Sequence, residues 1–106
     1  MVSTRSEIEL IQPYPKHKGF THTASSDVAE DAVTITGSMS EGNKVAFVVD
    51  TYDCYVEFDG DATTSSMYLK ADTGYYDDKI VITTNISILN ANAGQNARIR
   101  GIIWGR

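Results

Sequence analysis

Residues 44–61 read KVAFVVDTYDCYVEFDGD and combine two strand patterns with two turn patterns. Residues 44–50 alternate large apolar side chains with small or β-branched ones, which predicts a strand that is buried or nearly so. The alternation restarts at Cys54 and continues to Phe58, where polar residues on the second face predict a half-exposed strand. Residues 59–61, Asp-Gly-Asp, then favour a turn. The simplest interpretation is an antiparallel hairpin that needs further partners, because an isolated hairpin is marginal in water.

Strand patterns recur about every dozen residues from residue 32 onward, which is the spacing typical of a β-sandwich or barrel. Polar stretches separate them, and we expect a loop over residues 71–79 and a hairpin loop over residues 90–96. The further strands are expected over residues 32–36, 67–69, 79–84 with a continuation to residue 88, and 97–104. No run keeps helical periodicity for the ~11 residues of an average helix. The sequence therefore predicts an all-β fold, a small antiparallel β-sandwich or barrel, in a single domain of 106 residues.

Residues 1–31 lack the regular alternation of the rest, and we predict an extended N-terminal arm ahead of a sandwich over residues 32–106. Pro13 and Pro15 keep this segment extended. Its apolar side chains are too sparse to build a core but suit pockets along a groove of another protein. These candidate contacts are Ile8, Leu10, Ile11, Tyr14 and Phe20. The alternative, left open here, is an edge strand and a loop that cover the chain's own core.

Charge and cysteine content narrow the classes of partner. The chain has 9 basic and 14 acidic residues and a net charge of −5, which disfavours binding of nucleic acid. No run approaches the ~20 apolar residues of a membrane span, and no signal peptide pattern opens the chain, so we predict no membrane partner and synthesis in a cytoplasm. The single cysteine, Cys54, shares the parity of Val56 and Phe58 and is predicted to be a buried apolar residue.

The sequence offers little catalytic or metal-binding chemistry. Its two histidines, His17 and His22, lie in the irregular N-terminal segment, and no nucleophile motif accompanies them, so we predict that the protein is not an enzyme. Aspartates concentrate in residues 59–61 and 72–78, where loops of a sandwich could gather oxygen ligands for calcium. They are also ordinary turn residues without EF-hand spacing. We therefore predict no cofactor and no metal site, and calcium binding stays an open question.

The last predicted strand places Arg98, Arg100 and Trp104 on one face. Arginine and tryptophan are enriched in protein interfaces, so we predict that these three residues form an oligomer interface. A stacking platform for a sugar is the alternative use of the same face.

Five segments in the second half of the chain follow one another in a specific order. They are CYVEFDG at residues 54–60, ATTSSM at 62–67, KIVI at 79–82, the Gly/Asn-rich loop at 90–96, and ARIRG at 97–101. In this order residues 45–106 resemble small structural proteins of tailed-bacteriophage particles, of the β-sandwich decoration or cement type.

The resemblance implies a structural protein of the virion, made in the host cytoplasm, that binds the major capsid protein or another virion protein. It further implies a homo-oligomer, with a trimer favoured over a dimer. A head-fibre, neck or tail adaptor component is a related option. The alternative class is a lectin-like sandwich that binds a glycan through Tyr75, Tyr76 and Trp104 or through the aspartate loops.

Overall fold

The computed structural model describes residues 14–106 and contains eight strands and no helix in that range. The strands are β1 (Lys16–Thr23), β2 (Glu30–Thr34), β3 (Gly42–Val49), β4 (Cys54–Phe58), β5 (Met67–Leu69), β6 (Thr73–Asp77), β7 (Asn85–Asn90) and β8 (Arg98–Gly105). The prediction of an all-β fold is confirmed.

The strands form two four-stranded sheets that pack against each other as a sandwich. Sheet A has the order β1-β8-β3-β6 and sheet B the order β2-β7-β4-β5. Each pairing between these strands is antiparallel. Strand β8 is therefore central in sheet A, between β1 and β3, and β7 is central in sheet B.

The core lies between the two sheets and is built from the alternating residues that the sequence pattern assigned inward. Its fully buried members include Val45, Val49, Ile99 and Ile103 from sheet A and Cys54, Val56, Ile86 and Ile88 from sheet B. Burial of such side chains contributes roughly 1.5–3 kcal/mol each relative to exposure. The predicted burial of Cys54 is confirmed, since its exposed fraction is 0%.

The predicted hairpin of residues 44–61 is wrong. Strand β3 pairs with β8 and β6, whereas β4 pairs with β7 and β5, so the two strands lie in opposite sheets. Residues 50–53 cross between the sheets, and the backbone N–H of Asp50 donates to Arg98 at 3.0 Å. Strands in opposite sheets cover the core from two sides, whereas a hairpin within one sheet would cover it from one side only. The predicted hairpin loop at 90–96 likewise connects sheet B to sheet A.

Two further assignments change between residues 71 and 84. The predicted loop 71–79 contains β6, which pairs with β3 along its length, because its alternating side chains can cover one edge of the core. The predicted strand 79–84 is reduced to an isolated bridge between Ile82 and Gly42. Ile82 is nevertheless fully buried, as its parity predicted. The regular strand begins only at Asn85.

The predicted arm also needs correction where the structure describes it. Strand β1 pairs with β8 along its whole length, so the sandwich begins at Lys16 and the predicted boundary before residue 32 falls inside β2. Phe20 packs against the core, and therefore does not serve a pocket on another protein. Its partner across the ladder is Gly101, which in turn pairs with Phe47, so the glycine leaves room between two aromatic rings. Tyr14 is half-buried just ahead of β1.

The remaining arm contacts proposed from the sequence, Ile8, Leu10 and Ile11, lie outside the described residues.

A polar cluster closes the corner where β1 of sheet A approaches β2 of sheet B. The Glu30 carboxylate accepts hydrogen bonds from the backbone N–H of Ser25 and Ser26 at 2.9 Å and from the Ser26 hydroxyl at 2.8 Å. His22 Nε2 lies 3.0 Å from the same carboxylate. Burial opposes ionisation of Glu30, but the hydrogen bonds from Ser26, Ser25 and His22 prevail and lower its pKa to about 2. The carboxylate therefore stays charged and fixes the turn between the two strands.

Candidate interaction surface on the outer face of sheet A

The side of sheet A that points away from the core carries an unusual mixture of residues. We call it the outer face; its members are His17, Gly19, Thr21, Thr23, Lys44, Ala46, Val48, Asp50, Gly74, Tyr76, Arg98, Arg100, Ile102 and Trp104. The ladder register aligns them in rows across the strands. In one row Ala46 lies between Ile102 and Tyr76, and in the next Val48 lies between Arg100 and Gly74.

Large apolar side chains of this face are exposed. The exposed fraction is 59% for Tyr76, 41% for Val48 and 38% for Ile102. The small residues between them leave a groove of about 440 Å³, lined by Ala46, Phe47, Val48, Gly74, Tyr75, Tyr76, Arg100, Gly101, Ile102 and Trp104. A second shallow groove of about 460 Å³ lies on the β1 side and shares Gly101 and the side chains of Arg100 and Ile102 with the first. These two side chains therefore form a ridge between the grooves.

Charged groups fix the geometry at one end of the outer face. Arg98 donates to Asp50 from Nε at 2.9 Å and from Nη2 at 2.9 Å, which is a bidentate pair. Arg100 Nε approaches the second oxygen of the same carboxylate at 3.0 Å. The hydrogen bond from Arg98, with the charges of both arginines, lowers the pKa of Asp50. Asp50 thus remains ionised and holds both guanidinium groups on this surface.

A cation also lies between two aromatic rings at the other end, those of the exposed Tyr76 and the half-buried Trp104. Lys44 Nζ is 4.8 Å from the centroid of the Trp104 ring and 5.6 Å from that of Tyr76. Both distances fall within the range of cation–π attraction. The ammonium group therefore holds the two rings in place, so that the walls of the groove of about 440 Å³ are preorganised.

The outer face is positive although the protein as a whole is acidic. It carries three basic residues and one acidic residue, whereas the rest of residues 14–106 holds five basic and eleven acidic residues. Its one carboxylate, Asp50, is already engaged by two arginines. The face therefore offers apolar area and hydrogen-bond donors but few acceptors. Such a surface suits an apolar or anionic partner better than the many hydroxyl groups of a neutral sugar.

The structure brings together the three residues that the sequence selected. Arg98, Arg100 and Trp104 share the outer face, as the strand parity predicted, while their role in an oligomer interface stays a prediction. Sequence reasoning missed the contribution of Val48 to the same surface and named Tyr76 only in the glycan alternative. The signal lay in the alternation of residues 73–77, which becomes informative only once β6 is placed beside β3.

Tyr75, which the glycan alternative treated as exposed, is half-buried and faces the core. Its ring stacks on Phe47 with centroids 5.2 Å apart and lies 5.9 Å from the Phe58 ring. Burial, with a hydrogen bond to Asp77, raises the pKa of its hydroxyl. Tyr76 and Trp104 are thus the aromatic residues of that proposal that reach the outer face.

The aspartate loops have their own hydrogen-bond partners. Asp59 accepts hydrogen bonds from the backbone and hydroxyl groups of Thr83 and Thr84. Asp77 accepts from the Tyr75 hydroxyl at 3.2 Å. Within residues 14–106, no three His, Cys, Asp or Glu side chains converge in a way that could hold a metal ion. The prediction that the protein is not an enzyme stays a prediction.

Comparison with known proteins adds no relative to this picture. A scan of protein-family models finds no match to the chain, and neither does a search of curated proteins or of solved structures. The part of the chain that the structure describes has no helix suited to crossing a bilayer.

Proposed function

We propose that this protein is a non-enzymatic structural component of a bacteriophage particle, of the head decoration or cement type, that binds the capsid shell as an oligomer. The observation that carries the proposal is the outer face of sheet A, where Tyr76, Val48 and Ile102 are exposed beside arginine and tryptophan. Exposed apolar area rimmed by charge is typical of protein interaction sites. Assignment to a phage particle rests on the resemblance of residues 45–106 to such proteins.

The proposal divides the work between two parts of the chain. The outer face contacts neighbouring copies, which accounts for Arg98, Arg100 and Trp104. The segment before Tyr14 contacts the shell, with Ile8 and the nearby apolar residues filling pockets. An extended segment can follow a long path on a surface, since it spans up to ~3.3 Å per residue.

A truncation that removes residues 1–13 tests this attachment. Removing residues 1–25 would not be informative, because it would delete β1 and uncover the edge of β8. We expect the shorter truncation to keep the circular dichroism spectrum and melting temperature of the full chain but to lose co-sedimentation with capsids assembled without this protein. A matched full-length variant, Val81→Asp, changes an exposed loop residue and should still bind.

Two results would contradict the proposal. A truncated chain that binds capsids as tightly as the full chain would exclude the N-terminal segment as the attachment site. A gene neighbourhood without capsid and portal genes would contradict the phage assignment, because virion genes cluster.

A lectin-like module is the second candidate, favoured by one observation. Trp104 and Tyr76 flank an open groove of about 440 Å³ in which a sugar ring could stack. The shortage of acceptors in that groove supports the assembly function instead. Binding on a glycan array that Trp104→Ala abolishes would favour the lectin, and loss of that binding in EDTA would implicate calcium.

A further inference from the structure

We propose that the outer face of sheet A receives the turn of residues 25–31 from a second copy of this chain. The inference rests on the proposed assembly function and names the partner and the contact. It requires a projecting apolar side chain, acidic groups beside it, and a positive groove to take both.

The turn presents an apolar tip between acidic residues. Val28 is 65% exposed, the largest value among the exposed large hydrophobic residues of the described chain. Its neighbours in sequence include Asp27, Glu30 and Asp31. No other exposed valine or isoleucine in residues 14–106 has three acidic residues within three positions of it. The turn is therefore the best complement on the chain for an apolar, positive surface.

Hydrogen bonds hold this turn in one conformation. Asp27 Oδ1 accepts from the backbone N–H of Gly94 at 3.0 Å and from Asn90 Nδ2 at 3.0 Å. Glu30 binds the backbone and hydroxyl of Ser26 on the other side of Val28. A turn fixed from both sides loses little conformational entropy when it binds, which favours association.

The receiving groove complements the turn in apolar character and charge. Ala46 and Val48 line its floor, and Tyr76 and Trp104 wall it, so it can take an aliphatic side chain. Arg100 lies at its edge with 56% of its side chain exposed, available to a carboxylate of the incoming turn. Opposite charges therefore meet around an apolar contact.

Charge also decides against the simplest alternative, in which two outer faces pack on each other. That arrangement would place three basic residues and one acidic residue of each copy against the same set of the other. Like charges facing each other oppose association. Contact between turn and face joins two different surfaces, so it can occur twice in a two-fold dimer or in sequence around a ring. The trimer that the resemblance implies would be such a ring, with the turn of each copy on the outer face of the next.

Complementation between two variants tests the contact. Val28→Asp removes the apolar tip but keeps the outer face, and Ile102→Glu blocks the groove but keeps the turn. We expect each variant alone to be monomeric in analytical ultracentrifugation where the wild-type chain self-associates. An equimolar mixture should form a heterodimer, because one intact turn can still enter one intact face. Val81→Asp, at a valine in another loop with 59% of its surface exposed, is the control and should assemble like the wild type.

The outcomes separate this contact from the broader proposal. The contact is overturned if the wild-type chain is monomeric at every concentration, if Val28→Asp assembles normally, or if the folded variants fail to associate when mixed. Rising salt concentration should weaken the wild-type association, since it screens the charged rim. A chain that co-sediments with capsids but never self-associates would refute the contact and leave attachment to the particle intact. A chain that self-associates through this contact but does not bind capsids would support the contact and refute attachment to the particle.

Discussion

Replacing Asp59 by alanine should destabilise the sandwich more than its exposed position suggests. The Asp59 carboxylate accepts hydrogen bonds from the backbone N–H groups of Thr83 at 2.9 Å and Thr84 at 2.7 Å. It also accepts from their hydroxyl groups at 3.1 and 3.0 Å. Asp59 itself has a φ of 58°, in the left-handed region that aspartate tolerates better than alanine does. One side chain thus joins the end of β4 to the segment that leads into β7.

The size of the effect follows from these contacts. A hydrogen bond to a charged group contributes about 1.5–3 kcal/mol and a typical one about 0.5–1.5 kcal/mol, but water can replace part of the loss at an exposed site. The left-handed backbone adds a further cost for alanine of roughly 1 kcal/mol. We expect Asp59→Ala to lower the free energy of unfolding by about 2–3 kcal/mol in total. For a domain of this size the melting temperature should fall by roughly 10–20 °C.

Urea and thermal unfolding followed by circular dichroism would measure this loss. Asp59→Asn keeps one acceptor oxygen and the tolerance for a positive φ, so its effect should be intermediate. Asp59→Gly relieves the backbone but removes every acceptor, and the difference between glycine and alanine isolates the conformational cost. A loss below about 0.5 kcal/mol for Asp59→Ala, as at an ordinary surface site, would refute the reasoning.

Three further perturbations test other parts of the structure. Because hydrogen bonds lower the pKa of Glu30 from 4.5 to about 2, its contribution to stability should be complete above pH 4.5 and lost as the pH falls toward 2. Glu30→Gln should flatten the fall in melting temperature across that window, and an unchanged slope would contradict the assigned hydrogen bonds. Burial raises the pKa of the Cys54 thiol to about 11, so a thiol reagent should modify it only in denaturant. Equal rates in native and denatured protein would place Cys54 on the wrong side of its strand. An added Cβ at Gly101 would overlap the Ala46 carbonyl oxygen, so Gly101→Ala should cost about 1–3 kcal/mol or more in denaturant unfolding. Gly19→Ala, whose Cβ would meet only ordinary contacts, is its control and should be nearly neutral.

Strand periodicity predicted most of the inner core because burial on one side imposes a period of two. Residues 45–49 and 99–103 show this pattern, and their alternate members are buried between the sheets. The same pattern carries no information about which strand lies alongside. The short connection of residues 50–53 could close a hairpin or cross to the other sheet. The crossing is favoured because the core must be covered from both sides. That requirement depends on the whole fold and leaves no mark in the sequence of the connection itself.

The two edge strands of sheet A, β1 and β6, were not predicted as strands of the sandwich, for a different reason. Strand β1 is rich in lysine and histidine, and β6 contains glycine and aspartate, because residues at a sheet edge face solvent more than central ones do. Their apolar signal is reduced to Phe20 and Tyr75, each of which packs against the core. One inward aromatic residue in an otherwise polar segment does not distinguish an edge strand from an arm or a loop.

Only those residues of the candidate surface that lie on one strand, β8, could be predicted from the sequence to share a face. Parity along residues 98–104 placed Arg98, Arg100 and Trp104 together without knowledge of the fold. Val48 and Tyr76 join them through the register between β8, β3 and β6, which brings residues distant in sequence into one row. The acidic turn around Val28 has no pattern of its own. Its conformation depends on Asn90 and Gly94 from another loop.

The two sides of β8 separate the folding of the chain from the assembly that we propose for it. Ile99 and Ile103 point inward and are fully buried, so their truncation removes burial energy from the folded chain. Ile102 points outward and remains partly exposed, so its apolar area contributes less to the stability of the single copy. A polar substitution at Ile102 should thus weaken association while the melting temperature stays nearly constant. Ile103→Ala should instead lower the melting temperature of the single copy. This contrast links the exposed apolar area to a binding role, because the fold itself gains little from it.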